Sequence, residues 1–279
     1  MIFNTIYQRE RRVGSRSCRM PVVIALFNTA MAVMVLTSMA FTVESARETS
    51  IIDYDAFLRI FIVMGMAQFT FMMVMAPAFS SGVISNESER KTLDMMLTTK
   101  LSAADIVIGK LMWSLSSAML VVVSSLPILA ILFAYGYVRI HNLAIFLLAT
   151  LLMELYVGSM SIWASAASRR TSVATAIAYG ALLVLTCGTP LLCAAVSNIT
   201  GVQGSVEAVL YFNPIVPFVA FLGHVERSGE SVARICRLLG FSEDADMNTA
   251  AVRAVAVQLA LSAAYIGMAV RSISPEHRK

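Results

Sequence analysis

Charged residues are scarce in this chain: Asp, Glu, Lys and Arg make up 14% of its 279 residues, whereas hydrophobic residues make up 58%. A soluble domain carries about 25% charged residues, so the composition excludes a soluble protein. A membrane-spanning helix needs about 20 mainly apolar residues, and six stretches meet this length at residues 21–43, 56–80, 103–135, 143–167, 173–197 and 250–270. The sequence therefore predicts an all-α integral membrane protein, with residues 1–279 forming a single transmembrane domain of about six helices.

Catalytic motifs are also missing. Gly109 and Lys110 resemble the end of a phosphate-binding P-loop, but Ala104 replaces its first glycine and Leu111 replaces its Ser or Thr. No H-E-x-x-H, C-x-x-C or G-x-S-x-G sequence occurs, and the four cysteines have no metal-ligand or redox spacing. We therefore expect no catalytic residue, no metal site and no cofactor on this chain, and we do not expect an enzyme.

Lys and Arg are distributed unevenly along the chain. If the N-terminus lies inside, about two thirds of the 21 Lys and Arg residues fall in the inner segments, as the positive-inside rule requires. An even number of spans then places both termini in the cytoplasm of a multi-pass protein of the inner (plasma) membrane. The net charge of +4 is a topology signal, because a nucleic-acid surface needs basic residues and aromatics clustered on one soluble face. We expect no nucleic-acid partner.

Two segments outside the spans have patterns of their own. Residues 1–19 mix apolar side chains with arginines, which favours an interfacial helix in contact with membrane lipid; a solvated basic tail is the alternative. Residues 198–249 form the longest stretch between spans, and Pro214 and Pro217 break its apolar first half. Because that half is too short to span, we expect a re-entrant pair of short helices entering from outside, followed by a polar loop.

The densest charged segment, residues 84–101, lies between the second and third spans. Asn86 and Glu89 have the spacing of a capping box, which predicts a short helix along the membrane surface. Its apolar and charged side chains fall on different faces: Leu93, Met96, Leu97 and Leu101 against Glu87, Arg90, Lys91 and Asp94. Ser102 and Asp105 repeat the start signal for the third span. A solvated loop that only determines topology is the alternative.

This segment resembles the signature of type-2 ABC exporter permeases, in which IS-x-E-x-E-x-GTL-x-x-LL precedes a P-L-S turn and an E-I-hydrophobic-x-GK helix start. The matching residues are Ile84, Ser85, Glu87, Glu89, Thr92, Leu93, Met96, Leu97, Leu101, Ser102, Asp105, Ile106, Gly109 and Lys110. Two positions depart from the signature: Lys91 stands where the family usually has glycine, and Lys100 where it usually has proline. The order of apolar segments is also similar over nearly the whole chain.

The resemblance implies that the chain is the membrane permease subunit of an ATP-binding cassette exporter. It implies two permeases, identical or paralogous, with two cytosolic ABC ATPase subunits that bind ATP and Mg²⁺. The segment 84–101 would be a coupling helix that passes ATPase motion to the spans, and the N-terminal helix can contact the ATPase. The implied coupling residues are Glu87, Glu89, Arg90, Lys91, Thr92, Leu93, Asp94, Met96 and Leu97. Peptide, drug, lipid-linked glycan and ion all remain open as substrates.

Three polar side chains lie inside apolar spans. Glu154 is the one carboxylate in the middle of a span, where a charge is costly and usually faces a cavity or a partner. It is a candidate for the translocation pathway, with a structural glutamate as the equal alternative. Gln68 and Asn28 are weaker candidates, for which hydrogen bonding between helices is the favoured interpretation.

Two other functions stay open at this point. An ion-coupled secondary transporter would have several intramembrane carboxylates and inverted repeats, but only Glu154 lies deep and no repeat is visible. A non-transporting membrane anchor or sensor subunit would have a sizeable soluble domain, or a surface for a partner other than an ATPase. The exporter permease agrees best with the pattern.

Overall fold

The computed structural model describes residues 3–14, 18–49, 54–98, 102–134, 140–200, 207–225 and 247–274, and these ranges contain no β-strand. In chain order the helices are α1 (Phe3–Gly14), α2 (Arg19–Thr49), α3 (Tyr54–Ser80), α4 (Ser85–Glu89), α5 (Thr92–Leu97), α6 (Ala103–Ala134), α7 (Ile140–Ala167), α8 (Thr171–Leu183), α9 (Thr189–Thr200), α10 (Val216–Val225) and α11 (Met247–Ile273). A π-helical turn, Val184–Gly188, joins α8 to α9, and a 3₁₀ turn, Glu207–Phe212, precedes α10. The predicted all-α architecture is confirmed.

Six segments of the described chain are long and apolar enough to cross a membrane. They are Met20–Glu44, Leu58–Glu89, Ala103–Leu129, His141–Ala167, Thr171–Thr200 and Met247–Ile273. Each overlaps one of the spans predicted from the sequence. The architecture of about six membrane-spanning helices is therefore confirmed, with α8, the π-helical turn and α9 together forming the fifth span.

Helix α7 lies at the centre of the bundle, where it contacts α3, α6, α8, α10 and α11. The central spans α3, α6 and α7 bury more than half of their apolar stretch inside the chain, whereas α2, α8–α9 and α11 bury 17% of theirs. Lipid tails are as apolar as leucine, so exposed apolar side chains in a bilayer need no cover from the protein. The three outer spans therefore present surfaces to lipid or to a partner.

The short helix α10 is held in the core by aromatic contacts. The ring centroid of Phe218 lies 4.0 Å from that of Phe69 on α3 and 6.0 Å from that of Phe146 on α7. Such pairs contribute about 0.5–1.5 kcal/mol each beyond their burial. The 3₁₀ turn and α10 belong to the predicted 198–249 segment, of which residues 201–206 and 226–246 lie outside the described ranges. Entry of this segment from the outer side stays a prediction.

Asn213, between the 3₁₀ turn and α10, is fully buried and joins several elements. Its Nδ2 donates to the Thr186 carbonyl oxygen in the π-helical turn (3.2 Å) and to Thr189 Oγ1 (3.1 Å), while its Oδ1 accepts the Ile215 N–H (3.0 Å). Gln258 on α11 donates to the Asn213 carbonyl oxygen at 2.9 Å. Backbone groups inside a membrane must find partners within the protein, and these two side chains supply them where the backbone is irregular.

Replacement of Asn213 by Ala is expected to lower the apparent melting temperature of the purified chain by about 5 °C or more, because it removes three hydrogen bonds worth about 1 kcal/mol each. Asn198→Ala is the control, since Asn198 is exposed on α9 and its truncation is expected to cost little. Thermal unfolding in one detergent measures both variants. A melting temperature for N213A equal to that of the parent would show that this network does not stabilise the fold.

Candidate coupling site

The segment predicted as one coupling helix forms two short helices. Helices α4 and α5 are separated at Arg90 and Lys91. Lys91 has a φ of 56° and is the one non-glycine residue with a positive φ in the described chain. A side chain in this left-handed conformation costs about 1–2 kcal/mol. The prediction of one helix over 84–101 is therefore wrong within the described residues, and the break lies where the resembled family usually has glycine.

The start of α4 is determined by another helix rather than by a local cap. The backbone N–H groups of Ile84 and Ser85 both donate to Ser165 Oγ on α7, at 3.0 and 2.9 Å. The predicted cap at Asn86 is wrong: Asn86 lies inside α4, and its Oδ1 accepts a hydrogen bond from Arg90 Nε at 3.2 Å. Sequence reasoning missed Ser165, because a serine within an apolar helix carries no local sign of the segment that it caps.

The predicted capping box at the start of α6 is confirmed. The Asp105 N–H donates to Ser102 Oγ at 3.1 Å, and the Ser102 N–H donates to Asp105 Oδ2 at 3.1 Å. Two of the free N–H groups at a helix start are satisfied in this way. Helix α6 therefore begins at a defined point shortly after α5.

A buried lysine joins three elements at this end of the bundle. Lys110 on α6 is 2% exposed, and its Nζ donates to Glu10 Oε1 on α1 (3.2 Å) and to the Val83 carbonyl oxygen (2.8 Å). It also lies 3.5 Å from Glu87 Oε1 on α4, and Arg9 on α1 lies 3.7 Å from the same oxygen. An uncompensated buried charge would cost several kcal/mol. This Lys110 network therefore holds α1 and α4 in position on α6.

The two glutamates of the motif bind within the chain. Glu87 accepts a hydrogen bond from Thr92 Oγ1, which joins α4 to α5. Glu89 Oε2 accepts one from the Thr171 hydroxyl at the start of α8. Glu87 thus faces α1 and α6, while Glu89 faces α8. The structure brings the first of them, but not the second, into the Lys110 network.

Three further predicted coupling residues are wholly or partly buried. Leu93 is 2% exposed and packs beside apolar side chains of α6, α7 and α11. Thr92 and Met96 are half-buried, and Met96 Sδ lies 3.9 Å from a guanidinium nitrogen of α1. The side chains of Asp94 and Leu97 lie outside the described part of the structure, so their roles stay predictions. Leu93 therefore packs α5 against the spans.

The outward side of α4 and α5 differs in composition from the side that packs against the spans. Its exposed residues, which we call the α4–α5 surface, are Asn86, Glu89, Arg90, Lys91 and Met95. Met95 was not selected from the sequence, yet 68% of it is exposed. In the sequence, Met95 differs from its neighbours only as an apolar residue that does not share the helical face of Leu93 and Met96. An exposed methionine beside charged side chains is available to a partner.

Helix α1 packs closely along α6 through two glycines. A Cβ at Gly109 would lie 3.1 Å from Ile6, and one at Gly14 would lie 2.3 Å from the ring of Trp113. The Tyr7 ring centroid lies 6.5 Å from that of Trp113. The predicted N-terminal helix is thus present at Phe3–Gly14 and is part of this site, while its position at the membrane interface stays a prediction.

The three pathway candidates form no common hydrogen-bonded cluster among the described residues. Glu154 is 2% exposed, and its Oε1 has no partner there. Gln68 is fully buried, and neither polar atom of its amide has a partner among the residues that the structure describes, so the interhelical bond expected of it is not formed with any of them. Asn28 does make such a bond, from Nδ2 to Ser124 Oγ on α6 at 3.0 Å. A role in transport stays a prediction for all three.

Comparison of the sequence with known protein families gives a match. Residues 4–273 match the family model described as ABC-2 family transporter protein. No curated protein matches the chain. The family match includes most of α1, the two short helices of the coupling site and all six spans.

The conformation of Lys91 predicts that glycine is tolerated better than alanine at this position. Lys91→Gly is expected to be more stable than Lys91→Ala by about 1 kcal/mol, because glycine removes the steric cost but has a larger entropy in the unfolded chain. Both variants remove the same charge, so their difference reports on the backbone alone. Melting temperatures in one detergent measure it, and an alanine variant as stable as the glycine variant would contradict a left-handed turn.

Proposed function

We propose that this chain exports a substrate with energy from separate ATPase chains. The chain belongs to the ABC-2 transporter family and is a membrane permease component of an ABC transporter. ATP and Mg²⁺ would bind on those ATPases. The observation that carries this proposal is the Lys110 network, because it ties α1, α4 and the central span α6 together at one end of the bundle. That is the connection a soluble motor needs in order to move a membrane domain.

The α4–α5 surface is the proposed docking site for the ATPase. It combines the positive charges of Arg90 and Lys91 with the exposed Met95. Arginine and methionine are enriched where proteins bind one another, within a polar rim. Behind this surface, Leu93 and Glu87 connect the two short helices to the spans. These features support docking on one side of the segment and transmission on the other.

Motion of a docked ATPase would reach the spans through three contacts. Glu87 connects α4 to Lys110 on α6. Ser165 connects the start of α4 to α7, and Thr171 connects Glu89 to α8. Closure of an ATPase pair on binding ATP would then shift these helices as rigid bodies. Because α6 and α7 are central, movement of their ends changes the packing of the whole bundle.

The proposed assembly contains two permeases, identical or paralogous, and two ATPases in the plasma membrane. The outer spans α2, α8–α9 and α11 bury few of their residues inside the chain, which provides surface for a second permease. The distribution of Lys and Arg supports cytoplasmic termini. In that orientation α1 and the α4–α5 surface lie on the side of the membrane where ATP is available.

One observation favours an alternative to the exporter permease, namely an ion-coupled secondary transporter. Glu154 is buried in the centre of α7, and its Oε1 has no partner among the described residues. Intramembrane carboxylates of this kind carry protons in pumps and transporters. Such a transporter would need no ATPase, so the two functions are distinguished by what binds the α4–α5 surface.

Disruption of the α4–α5 surface is expected to abolish ATPase binding. The double variant Arg90→Glu, Met95→Glu reverses one charge and removes the exposed apolar side chain, but leaves the Lys110 network intact. Co-expression with the genes that flank this one, followed by affinity purification in mild detergent, measures the ABC ATPase retained per permease. Arg47→Glu, an exposed position near the far end of α2, is the control and should retain it.

Two outcomes of this experiment would count against the proposal. ATPase retained equally by the double variant and the control would exclude docking at the α4–α5 surface. Recovery of the parent chain without any ATPase would favour the secondary transporter, or a non-transporting anchor or sensor.

Replacement of Lys110 by Met tests transmission separately from docking. Methionine has a similar length, but it leaves Glu10 and Glu87 without their ammonium partner. We expect α1 and α4 to lose their fixed position on α6, because the carboxylates are then uncompensated. The ATPase should still copurify, since the α4–α5 surface is unchanged, while its closure should no longer move the spans.

Spin labels on the exposed thiols of Cys18 and Cys187, with the other cysteines replaced by serine, report this motion by pulsed electron paramagnetic resonance. ATP is expected to change the label distance in the parent complex and in the control Arg47→Met, which loses an exposed charge outside the α4–α5 surface. It is expected to leave the distance unchanged in K110M. A parent-like change in K110M would contradict transmission through Lys110.

A further inference from the structure

Beside the Lys110 network, α1, α2 and α6 line a half-open cavity of about 260 Å³. Its walls include Tyr7, Arg11, Ile24, Trp113, Ser116 and Leu120. No residue of the Lys110 network or of the α4–α5 surface lines it. The cavity is therefore separate from the Lys110 network and from the α4–α5 surface, although Tyr7 and Trp113 also take part in the packing of α1 on α6.

Arg11 gives the cavity one charged wall. Its side chain is exposed and, within the described chain, makes no ion pair or hydrogen bond, whereas Arg9 on the same helix is paired with Glu87. The Tyr7 hydroxyl also has no hydrogen-bond partner in the described ranges. A guanidinium binds phosphate oxygens well, because two of its N–H groups reach them at once. This wall is suited to a phosphate group.

The other end of the cavity is apolar and lies deeper along α6. Trp113 packs against α1, and Leu120 follows about 10 Å further along the helix at 1.5 Å per residue. The hydroxyls of Ser116 and Ser117 bind carbonyl oxygens of α6 itself, so they do not need a polar ligand. A polar opening above an apolar interior fits an amphiphile better than it fits a free anion.

We propose that this cavity binds one anionic phospholipid from the leaflet that contains α1. Arg11 binds its phosphate, with the Tyr7 hydroxyl as a second donor, and one acyl chain lies along Ile24 and Leu120. Clusters of arginine near a membrane surface attract anionic lipid, and Tyr and Trp are the aromatic types enriched at headgroup level. The lipid fills the gap between α1 and α2, and so stabilises α1 against α6.

Native mass spectrometry of the purified chain in a neutral detergent counts the lipids retained. Dioleoylphosphatidylglycerol is expected at one molecule per chain, with dioleoylphosphatidylcholine retained about fivefold less. Arg11→Gln is expected to reduce retention of the anionic lipid about fivefold. Arg12→Gln is the control, since it removes the same charge from the next residue of α1, which does not line the cavity, and it should retain the lipid.

A second pair of variants tests the apolar end. Ser116→Phe is expected to fill the cavity and exclude the acyl chain. Ser272→Phe on α11 is its control, because the Ser272 hydroxyl makes the same bond to the carbonyl four residues earlier but lies outside the cavity. Inorganic phosphate and glycerol 3-phosphate, at millimolar concentration, are expected not to displace the lipid.

Three results would overturn the lipid site. Displacement by inorganic phosphate or glycerol 3-phosphate would identify a phosphate site without an acyl-chain requirement. Equal losses in the two arginine variants would identify general attraction to a basic helix. Unchanged retention in S116F would place the lipid elsewhere. Because the measurement counts bound lipid rather than transport, each of these results leaves the export proposal standing.

Discussion

A charged amine buried beneath α4 is the constraint on which one end of this molecule depends. Lys110 tolerates its position only with acceptors around it, since an uncompensated buried charge costs several kcal/mol. Its acceptors are Glu10, the Val83 carbonyl and Glu87, which belong to α1, the turn before α4 and α4 itself. One side chain of α6 therefore determines where α1 and α4 lie, and the Gly14 and Gly109 contacts complete the position of α1.

Two acidic residues of the coupling segment, Glu87 and Glu89, have internal partners. Glu87 binds Lys110 and Thr92, and Glu89 binds Thr171. A segment that only had to bind a soluble partner would leave its charges outward, yet here the acids attach α4 to the bundle while Arg90 and Lys91 remain exposed. The segment thus has an inward side suited to transmission and an outward side suited to docking, and the charge of each side follows from its neighbours.

The spans were predictable from the sequence because each apolar run carries its own signal of length and composition. The Ser102–Asp105 cap was predictable for the same reason, since both partners lie within one turn. The start of α4 was not, because Ser165 lies 80 residues from Ser85 in the chain. The inward orientation of Glu87 was missed for a similar reason. The helical pattern of the segment places its charged residues on the outside, and it contains no information about a buried lysine on another helix.

Because lipid is the solvent, every unpaired polar group in the spans is costly. The hydrogen bonds that form within the chain show which polar groups already have a partner. Asn213 and Gln258 bind irregular backbone, and Asn28 Nδ2 already binds Ser124. Glu154, Gln68 and Asn28 each retain at least one buried atom without a partner in the described chain, at about 1–3 kcal/mol for each such group. Packing alone would be served better by an apolar side chain of the same size. A partner from outside the chain would offset that cost, as the predicted pathway role requires, and the cost is greatest for Gln68, because both polar atoms of its amide are unpaired in the described chain.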